Sequence, residues 1–297
     1  MSTPPDARGA RGEHKPIRRT PRAAAEGRWG VLPTRWRLRR SPRWWQEILF
    51  ILISYLLYGQ VRNNVGGGVA ADCGARNTLS DLQREACGRA LDIWLFEKRI
   101  GAGFELAMNN YVADIEWLAH IANYWYAIAH FLVTVGILVW IYKWHPLQYR
   151  GLRTALYSTN VVALLGYTFY ELAPPRMLTQ IGFIDTIVLY GQWGSWGSGG
   201  VAAVSNQFAA MPSMHVAWST WVAIALVRLS PTTWARVCGV VYPLATFVVI
   251  VVTGNHFWLD ALGGLVALWL GFLIQRVLSG QPAVDIHLEE ERAATAL

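Results

Sequence analysis

Gly254-Asn255-His256-Phe257-Trp258-Leu259-Asp260 opens a mostly apolar run that reaches Val277. About twenty mostly apolar residues suffice to cross a bilayer as a helix, so this stretch reads as a membrane span with a polar mouth. An ionisable side chain in such a place is costly unless it is used. His256 and Asp260 lie about one helical turn apart and share a face. A carboxylate beside an imidazole fixes its tautomer and raises its basicity, so the pair reads as an activated histidine. Met211-Pro212-Ser213-Met214-His215 opens another apolar stretch in the same way. Pro212 is pre-organised for a helix start and Ser213 is a residue type that caps one. The free amides of that first turn attract an anion, and His215 supplies a second acid/base.

Working outward, five more stretches match a membrane span: Trp45 to about Val61, Trp117–Tyr142, Ala155–Leu172, about Ser213–Leu229 and Val237–Thr253, with Phe257–Val277 as the sixth. The composition agrees. The chain of 297 residues is 54% hydrophobic and only 15% charged, with 16 Trp and 12 Tyr, which is far from an ordinary soluble domain. The expected fold is all-α, a polytopic membrane helix bundle with six transmembrane helices. Residues 88–110 mix Leu91, Trp94, Leu95, Ile100, Phe104 and Leu106 with Asp92, Glu97, Lys98, Arg99 and Glu105. That pattern suits an amphipathic helix lying in the interface.

The net charge of +7 is concentrated at the start of the chain. Residues 1–43 are dense in arginine, from Arg8 to Arg43, with Pro, Ala and Gly between. This stretch has no apolar face, so it reads as a disordered basic cytoplasmic arm touching anionic lipid. No nucleic-acid role follows, because no folded reading surface accompanies the charge. The first apolar run is too long for a cleavable leader and lacks a small-residue cleavage site. Residues 44–278 form the membrane-embedded domain, and 279–297 read as a flexible cytoplasmic tail.

With the arginine arm inside, the turns bearing Lys143, Arg150 and Arg153, then Arg228 and Arg236, then Arg276, all fall inside as well. Loops 62–116 and 173–212 and the turn Thr253–His256 fall outside. Both termini are then cytoplasmic, in the plasma membrane. Arg176, His215, His256 and Asp260 all land at outer helix ends, at the single depth one active site needs. Cys73 and Cys87 share an outer loop and would pair only if that loop faces an oxidising compartment. There is no zinc-type cysteine spacing. Residues 191–200 are Gly/Ser/Trp-rich and suit a lid.

Arg176 follows Pro174-Pro175, which stiffen the helix exit, and its guanidinium is a permanent bidentate ligand for phosphate. Asn255 adds a donor beside His256. Pro-Ser-x-His, followed about forty residues later by His-x-x-x-Asp, resembles the type 2 phosphatidic acid phosphatase superfamily. Ala173-Pro174-Pro175-Arg176 and Thr253-Gly254-Asn255-His256 are most similar to its inositol phosphotransferase branch, which includes fungal inositol phosphorylceramide synthase. The resemblance covers roughly residues 90–277. It implies six membrane helices, a lipid phosphate or phospholipid substrate, no metal and no cofactor. It also implies that His256 is a nucleophile forming a phosphohistidine and that Asp260 orients it. His215 then protonates the leaving group and later activates the acceptor, and Arg176 holds the phosphoryl oxygens, helped by Ser213 and Asn255. The sequence departs from the superfamily pattern at Phe169, which stands where a lysine is usual, and at Met177, where a proline is usual. Val249 and Ile250 stand where Ser-Arg is usual. Two cations are therefore missing, and Lys98 or Arg99 is a candidate replacement.

Other readings stay open. Water as acceptor makes a phosphatase, and an alcohol makes a transferase. Two histidines and an aspartate also suit zinc. A non-catalytic scaffold or transporter is a third class, although no internal repeat of broken helices is evident. Glu116 and His120, one turn apart, are expected as a structural pair or in support of the site. His130 is expected to pack between helices, Gly263 and Gly264 to allow close helix approach, and Cys238 to be a small core residue.

Overall fold

A computed structural model describes residue 31 and residues 43–64, 72–75, 79–191 and 207–285. Nearly all of the basic arm, residues 192–200 of the Gly/Ser/Trp-rich loop and the tail from residue 286 lie outside the described residues. The described chain is all-helical, with one isolated bridge between Leu172 and Ala209. Its helices are α1 (Trp44–Asn64), α2 (Asp81–Arg99), α3 (Glu105–Ala113), α4 (Glu116–Trp144) and α5 (Pro146–Phe169). They continue as the short α6 (Thr186–Leu189), then α7 (Met214–Leu229), α8 (Thr233–Val252) and α9 (Trp258–Ser279).

All six stretches expected as spans are helical. Three of them, α4, α8 and α9, are long and apolar enough to cross a membrane. α7 is apolar but only 16 residues long, and it stops at Ser230 just before Pro231. A proline cannot continue a helix whose preceding residue must be extended. α5 starts at Pro146, well before the expected Ala155, because a proline is favoured in the first turn. It therefore carries Arg150 and Arg153 within its own length.

The single interfacial helix expected over 88–110 is instead two helices. α2 starts at a capping box, with Ser80 and Gln83 each closing the other's backbone amide. It ends at Arg99, and Gly101 takes a positive φ of 76° that side chains rarely adopt. The chain then turns and restarts as α3. Cys73 and Cys87 are joined as a disulfide under α2, and this outer layer has its own core. Trp94 meets Phe183 edge-on at 5.3 Å, and Leu172, Phe208 and Phe257 complete it.

In the main bundle, α9 lies against α5 and α7 on a glycine track. A Cβ at Gly264 would sit 2.3 Å from the Ser213 carbonyl oxygen. One at Gly271 would sit 2.2 Å from Thr159 Oγ1 and 2.8 Å from the Ala155 carbonyl oxygen. The close approach expected at Gly263 and Gly264 is present, and it continues one helical turn pair further on. Trp221 fills the middle, fully buried, and donates its indole N–H to Leu152 O at 3.0 Å. α1 is tied to α5 through Glu47, which accepts from Tyr149 Oη at 2.9 Å and pairs with Arg153. The segment after α9, expected to be solvated, turns back onto α5. Gln148 bonds Asp285 twice, at 2.8 and 2.9 Å, and Ala283 is buried. Cys238, expected in the core, is exposed on α8. Large apolar side chains such as Leu132, Leu244 and Trp269 are exposed along the same bundle surface, as a lipid-facing surface requires.

Gly271→Ala should lower stability by about 1–3 kcal/mol, because rigid backbone blocks the new methyl. Gly136→Ala in α4, where nothing lies within 4 Å of an added Cβ, should be neutral or raise stability by up to about 1 kcal/mol. Thermal unfolding in detergent compares the two.

Candidate functional site

The ends of four helices converge at one mouth of the bundle: the exit of α5, the starts of α7 and α9, and the end of α8. Asp260 joins two of them. It is fully buried. Its Oδ2 lies 3.3 Å from His256 Nδ1 and accepts the Phe257 amide at 2.9 Å. Its backbone carbonyl accepts the Ser213 amide at 2.9 Å. The start of α7 is thus hung from the start of α9. The expected cap at Ser213 is not made. Its backbone N–H is used by Asp260, and its hydroxyl is buried without a hydrogen-bond partner.

His256 is held from both sides. Its backbone amide, like that of Asn255, donates to Ile250 O. Gly254 makes this turn with φ +63°, and its carbonyl accepts the Arg176 amide at 2.8 Å. His256 Nε2 is buried without a hydrogen-bond partner. With Nδ1–H directed at the carboxylate, the Nε2 lone pair is the free one. The His215 ring lies 5.6 Å from the His256 ring, centre to centre. It stacks on Tyr126 at 4.0 Å, and its Nε2 lies 3.2 Å from Tyr126 O.

That carbonyl belongs to a π-helical turn, Trp125–Ala129, inside α4. Such turns redirect carbonyls and recur at functional sites. His130 uses the same carbonyl, with Nδ1 at 3.1 Å, and its ring is 4.2 Å from that of His215. The packing expected of His130 is therefore packing against the site itself.

Arg176 is buried, in a 3₁₀ turn after Pro174. Its Nε pairs with Asp185 at 3.1 Å. Its two terminal nitrogens donate to Asn255 Oδ1 and, at 2.6 Å, to Gln207 Oε1. Asn255 in turn donates to Thr253 Oγ1 at 2.8 Å. Asp185 is itself positioned by Asn109, which bonds both the N–H and C=O of Ile184 and also Val252 O. The six residues expected at the site, His256, His215, Asp260, Arg176, Ser213 and Asn255, are thus all brought together.

Lys98 and Arg99 are exposed. Glu116 and His120 lie 3.7 Å apart in the first turns of α4, with Glu116 exposed and the His120 ring 5.5 Å from that of Tyr190. Among the described residues, no group of three or more His, Cys, Asp and Glu is arranged to hold a metal ion.

A helical bundle with membrane-length helices, one mouth of which gathers two histidines, a buried carboxyl group and a tethered arginine, defines a class of membrane-embedded phosphate-handling proteins. A profile of the PAP2 superfamily matches residues 91–274, and the chain belongs to that superfamily. Membership implies phosphatase- or phosphotransferase-type activity on lipid phosphates. No curated protein and no solved structure matches the chain.

Sequence reasoning missed several residues of this mouth: Asp185, Gln207, Asn109, Tyr126, Glu97 and Glu105. Glu97 had a legible signal. Ala86, Ala90, Ile93, Trp94 and Glu97 recur at helical spacing on one buried face, so the acid falls on the apolar side of α2. Glu97 Oε1 accepts the Leu259 amide and Glu105 Oε1 the Trp258 amide, each at 3.2 Å. These two charges of the amphipathic pattern are fully buried, whereas Asp92, Lys98 and Arg99 are exposed.

Arg176→Lys keeps the charge but not the planar fork, and strands oxygens of Asp185, Gln207 and Asn255. Stability should fall by about 1–3 kcal/mol even without substrate, as read by thermal unfolding of the purified variant.

Proposed function

We propose that the protein moves a phosphoryl group, or a phospho-headgroup, from a lipid through a covalent His256 intermediate. The observation that carries this reading is the state of His256: Nδ1 faces Asp260 while Nε2 is buried and unpartnered beside His215. The Nε2 lone pair attacks phosphorus. The P–O bond to the lipid alkoxide breaks, its electrons go to oxygen, and His215 supplies the proton. Asp260 balances the charge on the ring. In the second half, His215 takes a proton from water or an alcohol, whose oxygen attacks phosphorus and breaks the N–P bond. Arg176 binds the non-bridging oxygens, its side chain pre-set by Asp185, Asn255 and Gln207. The permanent guanidinium charge serves where a metal would otherwise be needed, so no metal is required. Ser213 Oγ is a further phosphate donor.

The inositol phosphotransferase branch is favoured over simple hydrolysis by Ala173-Pro174-Pro175-Arg176 and Thr253-Gly254-Asn255-His256, and by the absence of the two usual cations at Phe169 and Ile250. Phe169 is exposed, while Ile250 contributes only its carbonyl to the site.

Purified protein in detergent should be offered a panel of lipid phosphates and phospholipids, with phosphate release and headgroup exchange followed in parallel. Turnover should persist in EDTA, be abolished by His256→Ala, and fall less in His215→Ala with p-nitrophenyl phosphate than with a lipid alkoxide leaving group. Equal losses on both substrates would remove His215 as the acid.

We further propose six spans, with the site on the outer face of the plasma membrane and both termini in the cytoplasm. The basic turns support this, and so does the Cys73–Cys87 disulfide, which persists in oxidising compartments. In a Cys238→Ser background, Asp114→Cys in intact cells should react with a membrane-impermeant maleimide. Lys143→Cys should react only after permeabilisation. The reverse labelling pattern places the site in the cytoplasm.

A further inference from the structure

Two carboxyl groups from outside the membrane spans meet at the start of α9, and the phosphohistidine reading gives them no role. Glu97 comes from the buried face of α2, and Glu105 is the first residue of α3. The break at Gly101 folds α3 back so that both reach the same place. Neither side chain has solvent contact. Each uses one oxygen to accept an amide of the first turn of α9, Leu259 for Glu97 and Trp258 for Glu105. Asp260 takes the Phe257 amide. The three orphan amides that follow His256 are therefore all capped by carboxyl groups, two of them supplied by other helices. The first turn of α9 is closed to an anion, and its geometry is set by α2 and α3.

The remaining oxygens, Glu97 Oε2 and Glu105 Oε2, are buried with no other group to bond, and the two carboxyls neighbour each other. Two acceptors can bond only if one of them carries a proton. We propose that Glu97 and Glu105 share one proton and act as a positioning pair, fixing the first turn of α9 and thereby the attack geometry of His256. This rests on the phosphohistidine reading for its kinetic consequence, but not for the proton.

Electrostatics points the same way. Burial first, and then the charge of Glu105, push the Glu97 carboxyl up to about 9. The charged groups facing Glu97 are Glu105 from α3 and Asp260 from α9, both of which oppose its ionisation. The Leu259 amide favours it. With one shared proton, the pair places a single negative charge at the positive end of α9. Losing the proton puts three carboxylates around one helix start, next to the place an anionic phosphoryl group must occupy. The sign for stability follows. Glu97 stays protonated when folded and loses its proton near 4.5 when unfolded. Its contribution is complete below 4.5 and is lost as pH rises to about 9.

The test uses full-length protein in detergent, phosphatidic acid in mixed micelles, and the variants Glu97→Gln, Glu97→Leu and His256→Ala. The glutamine keeps an acceptor for Leu259 and donates to Glu105 without needing a proton. Glu97→Leu should lower kcat on the order of 100-fold with little change in KM, the expected cost of a misplaced nucleophile. Glu97→Gln should restore most of that loss and move the alkaline limb of the kcat profile to higher pH. It should also flatten the slope of melting temperature against pH between 4.5 and 9. A protonated-carboxyl stretch in the wild-type infrared spectrum should vanish in Glu97→Gln. Full kcat in Glu97→Leu overturns the positioning role. An unchanged melting slope with no lost carboxyl band overturns the shared proton. Turnover surviving in His256→Ala counts against the phosphohistidine reading instead, because the melting and infrared results do not depend on it.

Discussion

A carboxyl group with no solvent contact depends on the protein around it, and the bonds Asp260 makes through Oδ2 and its backbone carbonyl organise this mouth. Its side chain holds the His256 ring and the Phe257 amide, while its backbone carbonyl holds Ser213. One residue thus couples the tautomer of one histidine to the position of the helix that carries the other. The distance between His215 and His256 is a property of the α7–α9 junction rather than of either side chain. The glycine track beneath serves the same end, because the Asp260–Ser213 bond forms only where the two backbones approach closely.

Arg176 illustrates how a site with few cations remains ordered. A buried arginine with its charge and donors unmet would be drawn toward solvent, where its hydration is better. Here Asp185 neutralises it, and Asn255 and Gln207 fix its plane. Asn109 reaches from α3 to anchor the strand of chain bearing Asp185 and the end of α8 together. The outer layer of α2 and α3 is therefore part of the site's framework. Its disulfide and aromatic core hold that framework outside the spans.

The parts legible in the sequence are those fixed by helix geometry within one element. His256 and Asp260 pair because four residues make about one turn, and Gly264 reads as close packing because nothing else fits. Assembly across elements was legible only as shared depth: Arg176, His215 and His256 at helix mouths on one side. What failed did so for identifiable reasons. Hydropathy does not distinguish a lipid-facing residue from a core residue, so Cys238 on α8 was misplaced. Charges within an amphipathic pattern read as solvated, so Glu97 and Glu105 were passed over although Glu97 follows the buried stripe of α2. The break between α2 and α3 depends on the positive φ at Gly101, and a helical period in the flanking residues hides it. The Tyr126 carbonyl has no side-chain signature at all. It is a backbone atom exposed by a π turn.

The glycine track has one more consequence. A helix lying in van der Waals contact with its neighbours over two full turns behaves as a fixed rail, with no slack to rotate or slide. α9 carries His256 at the head of that rail, with Gly264 and Gly271 pressed against α7 and α5. In the proposed reaction His256 is therefore the stationary partner, and all the travel belongs to the other reactant. A lipid diffusing in the leaflet has to raise its headgroup into register with a target that does not adjust. Discrimination between lipids then falls to headgroup reach and tilt, measured against a fixed point.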